Sequence, residues 1–376
     1  MLRRRGNLNE ELYALILRNV RTPDERRGDF EAQIAACEIG GRRLVALAER
    51  YGVARLRRAM EALLDYSARL AAIELRKVPD GVYASEDVLE DSGFGSGPLP
   101  IRLRLTVEDG RLHFDFTGSA SQTPGPINAV AAVTKSACFY GVRMLLPEHT
   151  PQNEGCWATA TFTLPPASII NASPPAAVSA GNVETSQRIT DVVFQALAQA
   201  RPEAFPACSS GTMNNLTFGG IAPDGRPFAY YETIGGGAGG GPLRPGESGI
   251  HTHMTNTMNT PIESIELTYP IVVREYTLRS GTGGAGLHPG GEGLRRTIEF
   301  TVPAEVSIVS ERRLTRPPGT AGGEPGAVGR NTLVRPDGER QDVGGKARMQ
   351  FDAGDRLVIE TPGGGGWGHL QDVNSR

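Results

Sequence analysis

The sequence predicts an α+β fold, with amphipathic helices first and a β-rich, glycine-rich second half. Three observations carry this. Apolar residues recur at helical spacing through roughly the first 80 positions. From Gly81 the period changes to two. Beyond Pro206, short apolar runs alternate with glycine and proline clusters.

The helical part begins at Asn7, which with Glu10 resembles a capping pair ahead of Leu8, Leu12, Leu15, Ile16 and Val20. Thr22-Pro23-Asp24 interrupts that run. A longer helix then carries Phe30, Ile34, Cys37, Leu44, Ala48 and Tyr51 on one face, and Gly52 is placed to end it. A third spans about residues 53–78, before the turn Pro79-Asp80-Gly81. Amphipathic helices of this kind are expected to pack on each other or on a sheet.

Next, Ile101, Leu103, Leu105 and Val107 alternate with polar residues. Asp109-Gly110 follows, and Leu112, Phe114 and Phe116 alternate again, which predicts a tight hairpin. Residues 134–146 read as helix, 158–164 as strand, and 184–200 as helix with Ile189, Val193, Ala196, Leu197 and Ala200 inward. Strands are expected at 263–269, 271–278, 295–302, 305–310 and 355–361, the last running into Pro362 and four glycines. The organisation is a helical region (1–80), a mixed α/β region (81–205) and a β-rich region carrying the candidate site (206–376). Proline-rich residues 164–181 are either a linker or a buried crossing.

Composition narrows the function classes. With 376 residues and 39% hydrophobic content the chain can bury a core. A net charge of -3 without a dense basic run argues against nucleic acid as partner. No apolar stretch approaches the roughly 20 residues of a membrane span, and the basic start has no apolar segment behind it, so no secretory signal is read. Four scattered cysteines, without a CxxC, are expected as buried thiols in a reduced, cytoplasmic setting.

The densest chemistry lies in residues 250–270, IHTHMTNTMNTPIESIELTYP. His251 and His253 are two apart, so on a strand both imidazoles would leave one face. They could hold a metal, line an active-site wall, or be structural loop residues. Asn256 and Asn259 supply amides. Glu263 and Glu266 supply carboxylates that a strand would point in opposite directions, leaving Glu263, nearer the glycines, as the candidate acid–base group. The preceding cluster, Gly235–Gly241 apart from Ala238, could nest an anion. It lacks the GK[ST] of a phosphate loop, so close backbone packing or a mobile loop is the expectation. Glu184 and Arg188, four apart, read as a solvated ion pair along a helix. No GxSxG elbow is present and no cysteine neighbours a histidine in sequence, so a covalent serine or cysteine mechanism is not expected.

Five stretches carry a resemblance: NAVAAVTKSACFYGVRML from Asn128, AGNVETSQRITDVVFQAL from Ala180, SSGTMNNLTFGG from Ser209, the 250–270 segment, and TPGGGGWG from Thr361. Together these resemble the hydantoinase B/oxoprolinase family over nearly the whole chain. The resemblance implies the B-type subunit of an ATP-dependent cyclic amide hydrolase acting on hydantoin- or 5-oxoproline-like rings. It implies an A-type partner subunit in a hetero-oligomer, with ATP used by that partner to phosphorylate the ring carbonyl. An acetone-type carboxylase subunit and a non-catalytic scaffold for the A-type partner are the alternatives. Family members carry a further N-terminal region with Asp- and His-rich motifs, absent here, so a truncated or complemented chain is expected. A divalent metal is implied for the complete enzyme, with its ligands outside this chain. His251, His253, Asn256 and Glu263 are the catalytic candidates.

Overall fold

A two-stranded ribbon, β1 (Arg3–Arg4) with β2 (Asn7–Leu8), leads into helix α1 (Glu10–Arg18) in the computed structural model, which describes residues 2–4 and 6–370. The cap is Asn9, whose side chain accepts from the Leu12 amide at 3.1 Å; Asn7 pairs in the ribbon instead. Pro23 opens α2 (Pro23–Tyr51), where a missing N–H costs nothing. Gly52, at φ 78°, alone separates α2 from α3 (Val53–Leu75).

The expectation that these helices pack along their apolar faces holds for α1, which buries Tyr13 and Leu17 with Tyr13 edge-on to Phe30, and fails for α2 and most of α3 in this chain on its own. No residue of α2 is buried, and α3 buries only Ser67, Ala71 and Leu75, near its end. The 3-10 turn at Glu154–Trp157 covers that end.

Strands β3 (Gly81–Leu89), β4 (Leu99–Glu108) and β5 (Arg111–Asp115) form an antiparallel meander. Asp109 and Gly110 both have positive φ (46° and 72°), the tight hairpin turn that Asp-Gly predicts. After helix α4 (Ala131–Met144), β6 (Ala160–Thr163) joins β5 in parallel. The 164–181 stretch is buried only in part: Ile169 and Ile170 are fully covered, and the Ala129 amide donates to the Ile169 carbonyl at 2.7 Å, whereas Pro174, Pro175 and Val178 are exposed. Helix α5 (Ser186–Ala200) lies across the sheet, contacting α4, β3 and β4. Leu105, Phe114, Val142, Ile189, Val193 and Leu197 centre this first core.

The second half builds two further sheets. One has the order β14-β11-β7-β8, from β7 (Asn215–Ile221), β8 (Pro227–Glu232), β11 (Ala304–Val309) and β14 (Lys346–Phe351). The other has the order β13-β12-β15-β10-β9, from β9 (Ile271–Arg279), β10 (Gly293–Phe300), β12 (Arg330–Val334), β13 (Arg340–Asp342) and β15 (Arg356–Glu360). Leu216, Phe218 and Ile308 of the first sheet share one core with Ile298, Phe300 and Leu357 of the second. The fold is therefore α+β, as predicted.

One expected strand is a helix. Residues 262–268 form α6 (Ile262–Thr268), with Pro261 at its N-cap. Ile265 is the only buried member, and Ile262, Ile265 and Tyr269 are spaced by three and four, which is helical rather than alternating.

The glycines do pack closely. The 235–241 segment hydrogen-bonds to four other segments: Gly237 N to Pro362 O, Gly291 N to Ala238 O, Ala238 N to Glu247 O and Ala207 N to Gly240 O. A sheet strand has only two such neighbours, so this is a bundle of extended backbones. A Cβ on Gly239 would lie 1.8 Å from the Ala207 carbonyl oxygen, and one on Gly364 1.9 Å from that of Ala238. Only glycine fits at those positions.

Buried ions hold the two halves together. Asp87 of β3 binds Arg188 of α5 at 3.0 Å and Arg312 at 2.5 Å, while Asp191 binds Arg312 at 2.9 Å. The Glu90 carboxylate accepts the amides of Arg313, Leu314 and Thr315 at 2.7–2.9 Å. Burial would raise the Asp87 pKa, but the two guanidiniums outweigh it and hold it at about 2.

Candidate active site

Where α4 meets the glycine bundle lies a cavity of about 440 Å3. Tyr140, Met144, Ser209, Ala238, Gly239, Arg244 and Glu247 line it together with His251 and His253. The two predicted histidines therefore do share one hollow.

They do not share it as a strand pair. Past the single bridge between Ile250 and Gly236, the segment is loop. His253 takes φ 60°, a left-handed conformation uncommon outside glycine. Its ring meets Phe194 edge-on (centroids 5.1 Å apart) and Tyr140 (5.8 Å), and Gln187 Nε2 donates to the neighbouring Thr252 carbonyl at 3.0 Å. Aromatic packing and this tether hold a backbone turn that costs about 1–3 kcal/mol.

Both imidazoles favour the neutral state. Burial lowers the pKa of His253, with Asp191 opposing; burial also lowers His251, with an Asn259 hydrogen bond opposing. Nε2 of each ring is buried without a hydrogen-bond partner among the described residues. Two neutral rings with an unengaged nitrogen beside a cavity can accept protons.

Asn259, the second amide of the segment, lies behind His251. Its Nδ2 donates to Glu232 at 2.9 Å and to the Thr233 carbonyl at 2.7 Å, and its Oδ1 accepts from Tyr276 at 2.9 Å. Fully buried Arg296 pairs with Glu232 at 3.0 Å and stacks 4.8 Å over the Tyr276 ring. This polar backing fixes the wall that bears His251.

Asn256 and Glu263 lie elsewhere. Asn256 is exposed, and Glu263 is exposed on the first turn of α6; neither lines the cavity. As α6 is helical, Glu263 and Glu266 do not alternate as strand residues would, and Glu266 accepts the Val273 amide at 2.7 Å.

The expected solvated Glu184–Arg188 pair is also corrected, since both side chains are fully buried. Glu184 lies in a π-turn, Gly181–Thr185, and one of its oxygens accepts from Thr212, the Met213 amide and Asn215 at 3.0, 3.2 and 2.6 Å. Burial, then nearby Glu311, raises its pKa to about 8, so it is protonated at neutral pH. Arg188 turns to Asp87 instead. The i,i+4 spacing could not distinguish these outcomes, because Thr212, Met213 and Asn215 around Glu184, and Asp87 on Arg188, are remote in sequence.

Of the four cysteines, Cys138, Cys156 and Cys208 are buried free thiols as expected, and Cys37 is exposed. Among the described residues no three His, Cys, Asp or Glu side chains converge on a metal position. The two imidazoles thus do not by themselves make a metal centre. No helix among them is long and apolar enough to cross a membrane.

Fold and cavity together define an α+β chain with a glycine-backbone core and a small, histidine-lined pocket. The chain belongs to the hydantoinase B/oxoprolinase family, whose sequence pattern it matches over residues 1–370. It is 39% identical over 371 residues to an uncharacterised protein of Methanocaldococcus jannaschii, covering 98% of this chain and 64% of that one. It is 41% identical over 350 residues to 5-oxoprolinase 1 of Arabidopsis thaliana, covering 90% of this chain and 27% of that one. The crystal structure of the ATP-dependent caprolactamase from Pseudomonas jessenii superposes with a TM-score of 0.87 at 29% identity, covering all of this chain and 67% of that one. This chain therefore spans less than two thirds of the Methanocaldococcus protein and about a quarter of the plant one.

Proposed function

We propose that this chain is the B-type subunit of an ATP-dependent cyclic amide hydrolase for hydantoin- or 5-oxoproline-like rings. In this reading an A-type partner uses ATP to phosphorylate the ring carbonyl oxygen, and this chain opens the activated ring. The observation that carries the reading is the pair of neutral imidazoles on one cavity wall, each with an Nε2 that has no hydrogen-bond partner, in a chain of this family. Relatives whose names specify oxoprolinase and caprolactamase activity support the substrate class. The name "subunit beta" on the Pseudomonas caprolactamase relative supports a partner chain.

A ring amide is a poor electrophile, and phosphorylating its oxygen makes the carbon attackable. Water then adds to that carbon while His253 or His251 takes one proton through its free Nε2 and passes it to the ring nitrogen. When the C–N bond breaks, the proton of the new hydroxyl follows to the same nitrogen. The open-chain product is an amine and an acyl phosphate, which a second water hydrolyses. Tyr140 and Phe194 around His253 keep the imidazole desolvated and neutral, as a base near pH 7 requires. Asn256 and Glu263 stand outside this scheme.

The test is to co-express the chain with an A-type partner and assay ATP-dependent ring opening. The His251→Ala/His253→Ala double variant is expected to lose about 10²–10⁴-fold in kcat, with Glu263→Gln and Asn256→Ala unchanged. Unchanged turnover in the double variant would remove the imidazoles from the reaction.

A further inference from the structure

Among the described residues, ten of the 25 exposed large hydrophobic side chains lie between Ile39 and Tyr66, in the second half of α2 and the first of α3. The 29-residue α2 buries none of its own side chains. We propose that α2 pairs antiparallel with α2 of a second copy of this chain, about a two-fold axis at Gly40-Gly41.

The two halves of α2 are complementary in shape. The N-terminal half bears an apolar groove of about 420 Å3, lined by Phe30, Gln33, Ile34 and Cys37 and closed on one side by Leu2. From the C-terminal half project Leu44, Leu47 and Tyr51, which are 49%, 42% and 43% exposed. These positions recur every three or four residues, so they share one stripe, as a helix–helix seam requires. A two-fold axis between Gly40 and Gly41 sets Phe30 opposite Tyr51 of the second copy, Ile34 opposite Leu47 and Cys37 opposite Leu44.

Charge fixes the direction. Residues 24–38 carry five acids and two arginines, whereas 42–50 carry Arg42, Arg43 and Arg50 against Glu49. The antiparallel register brings Glu31 to Arg50 and Glu38 to Arg43 of the other copy, with Glu38 also meeting Arg3 of its own chain. A parallel pair would set arginines against arginines.

The glycines fit the same arrangement. A Cβ at Gly40 or Gly41 would meet nothing within 4 Å in the single chain. Each glycine nevertheless weakens an exposed helix by about 1 kcal/mol relative to alanine. At the crossing point they let a second backbone approach closely.

Light scattering and sedimentation of the full chain test this, with circular dichroism checking helix content. A dimer is expected. Arg43→Glu/Arg50→Glu should shift it to monomer, and adding Glu31→Arg/Glu38→Arg should restore it. Independently, Leu44→Cys should give a disulfide-linked dimer with native Cys37, abolished by Cys37→Ser. Residues 37 and 44 of one helix are about 10 Å apart, too far for an internal bridge. A monomeric wild-type chain, a dimer indifferent to charge reversal, or a surface covered only by an added A-type partner would overturn the proposal.

Discussion

Helices α5 and α2 both carry apolar residues at helical spacing and end in opposite environments. Twelve of the 15 residues of α5 are buried, among them Arg188 and Asp191, whereas α2 buries none of its 29. Helical periodicity says that a face wants cover; what provides the cover is decided by residues far away in sequence. For α5 these are Asp87 and Arg312, contributed by strand β3 and by the segment after β11. For α2 they lie outside the single chain.

Substitutions sharpen this contrast, and the glycine bundle gives the largest effect. Gly239→Ala or Gly364→Ala forces a methyl group into a carbonyl oxygen and should prevent folding to a soluble product, measured by expression and circular dichroism. In α2 the same change at Gly28, where a Cβ meets nothing, should instead raise stability by about 1 kcal/mol in urea denaturation.

The next largest effect concerns α5. Arg188→Met removes one of the two guanidiniums that hold the Asp87 carboxylate, and a fully buried cation with it, and should cost about 3–5 kcal/mol. A loss below about 1 kcal/mol would show that Arg312 alone suffices for Asp87.

A smaller effect depends on pH. The folded pKa of Glu184 is about 8, above its ordinary 4.5, so the folded state binds the proton more tightly. That contribution is complete below pH 4.5 and is lost as pH rises through about 8. Glu184→Gln, which mimics the protonated acid, should flatten the fall in stability between pH 6 and 8.5. A wild-type slope retained in the variant would assign it to another group. The smallest effects belong to the exposed Asn256 and Glu263, where alanine or glutamine should change stability by less than about 0.5 kcal/mol.

Much of the architecture was legible in the sequence. The Asp109-Gly110 hairpin and the strands at 271–278 and 305–310 are set by local alternation and turn chemistry, so they formed where expected. The site was legible only in part. His251 and His253 do face one cavity, but through a left-handed turn at His253 that packing against Phe194 and Tyr140 imposes. Nothing near His253 in sequence signals those rings. The strand expected at 263–269 is a helix, and Ile262, Ile265 and Tyr269 carry the helical spacing in the sequence itself. The ionic seam was invisible because charges separated by 101 and 225 positions meet only in the fold.

Ring opening as proposed requires His251 and His253 to be uncharged proton acceptors. A ¹⁵N histidine NMR titration of the full chain, assigned with the two His→Ala variants, measures this directly. Both rings should stay neutral at pH 6.5 and protonate only below it, because burial disfavours the imidazolium. Either ring already charged at pH 7 would contradict the account.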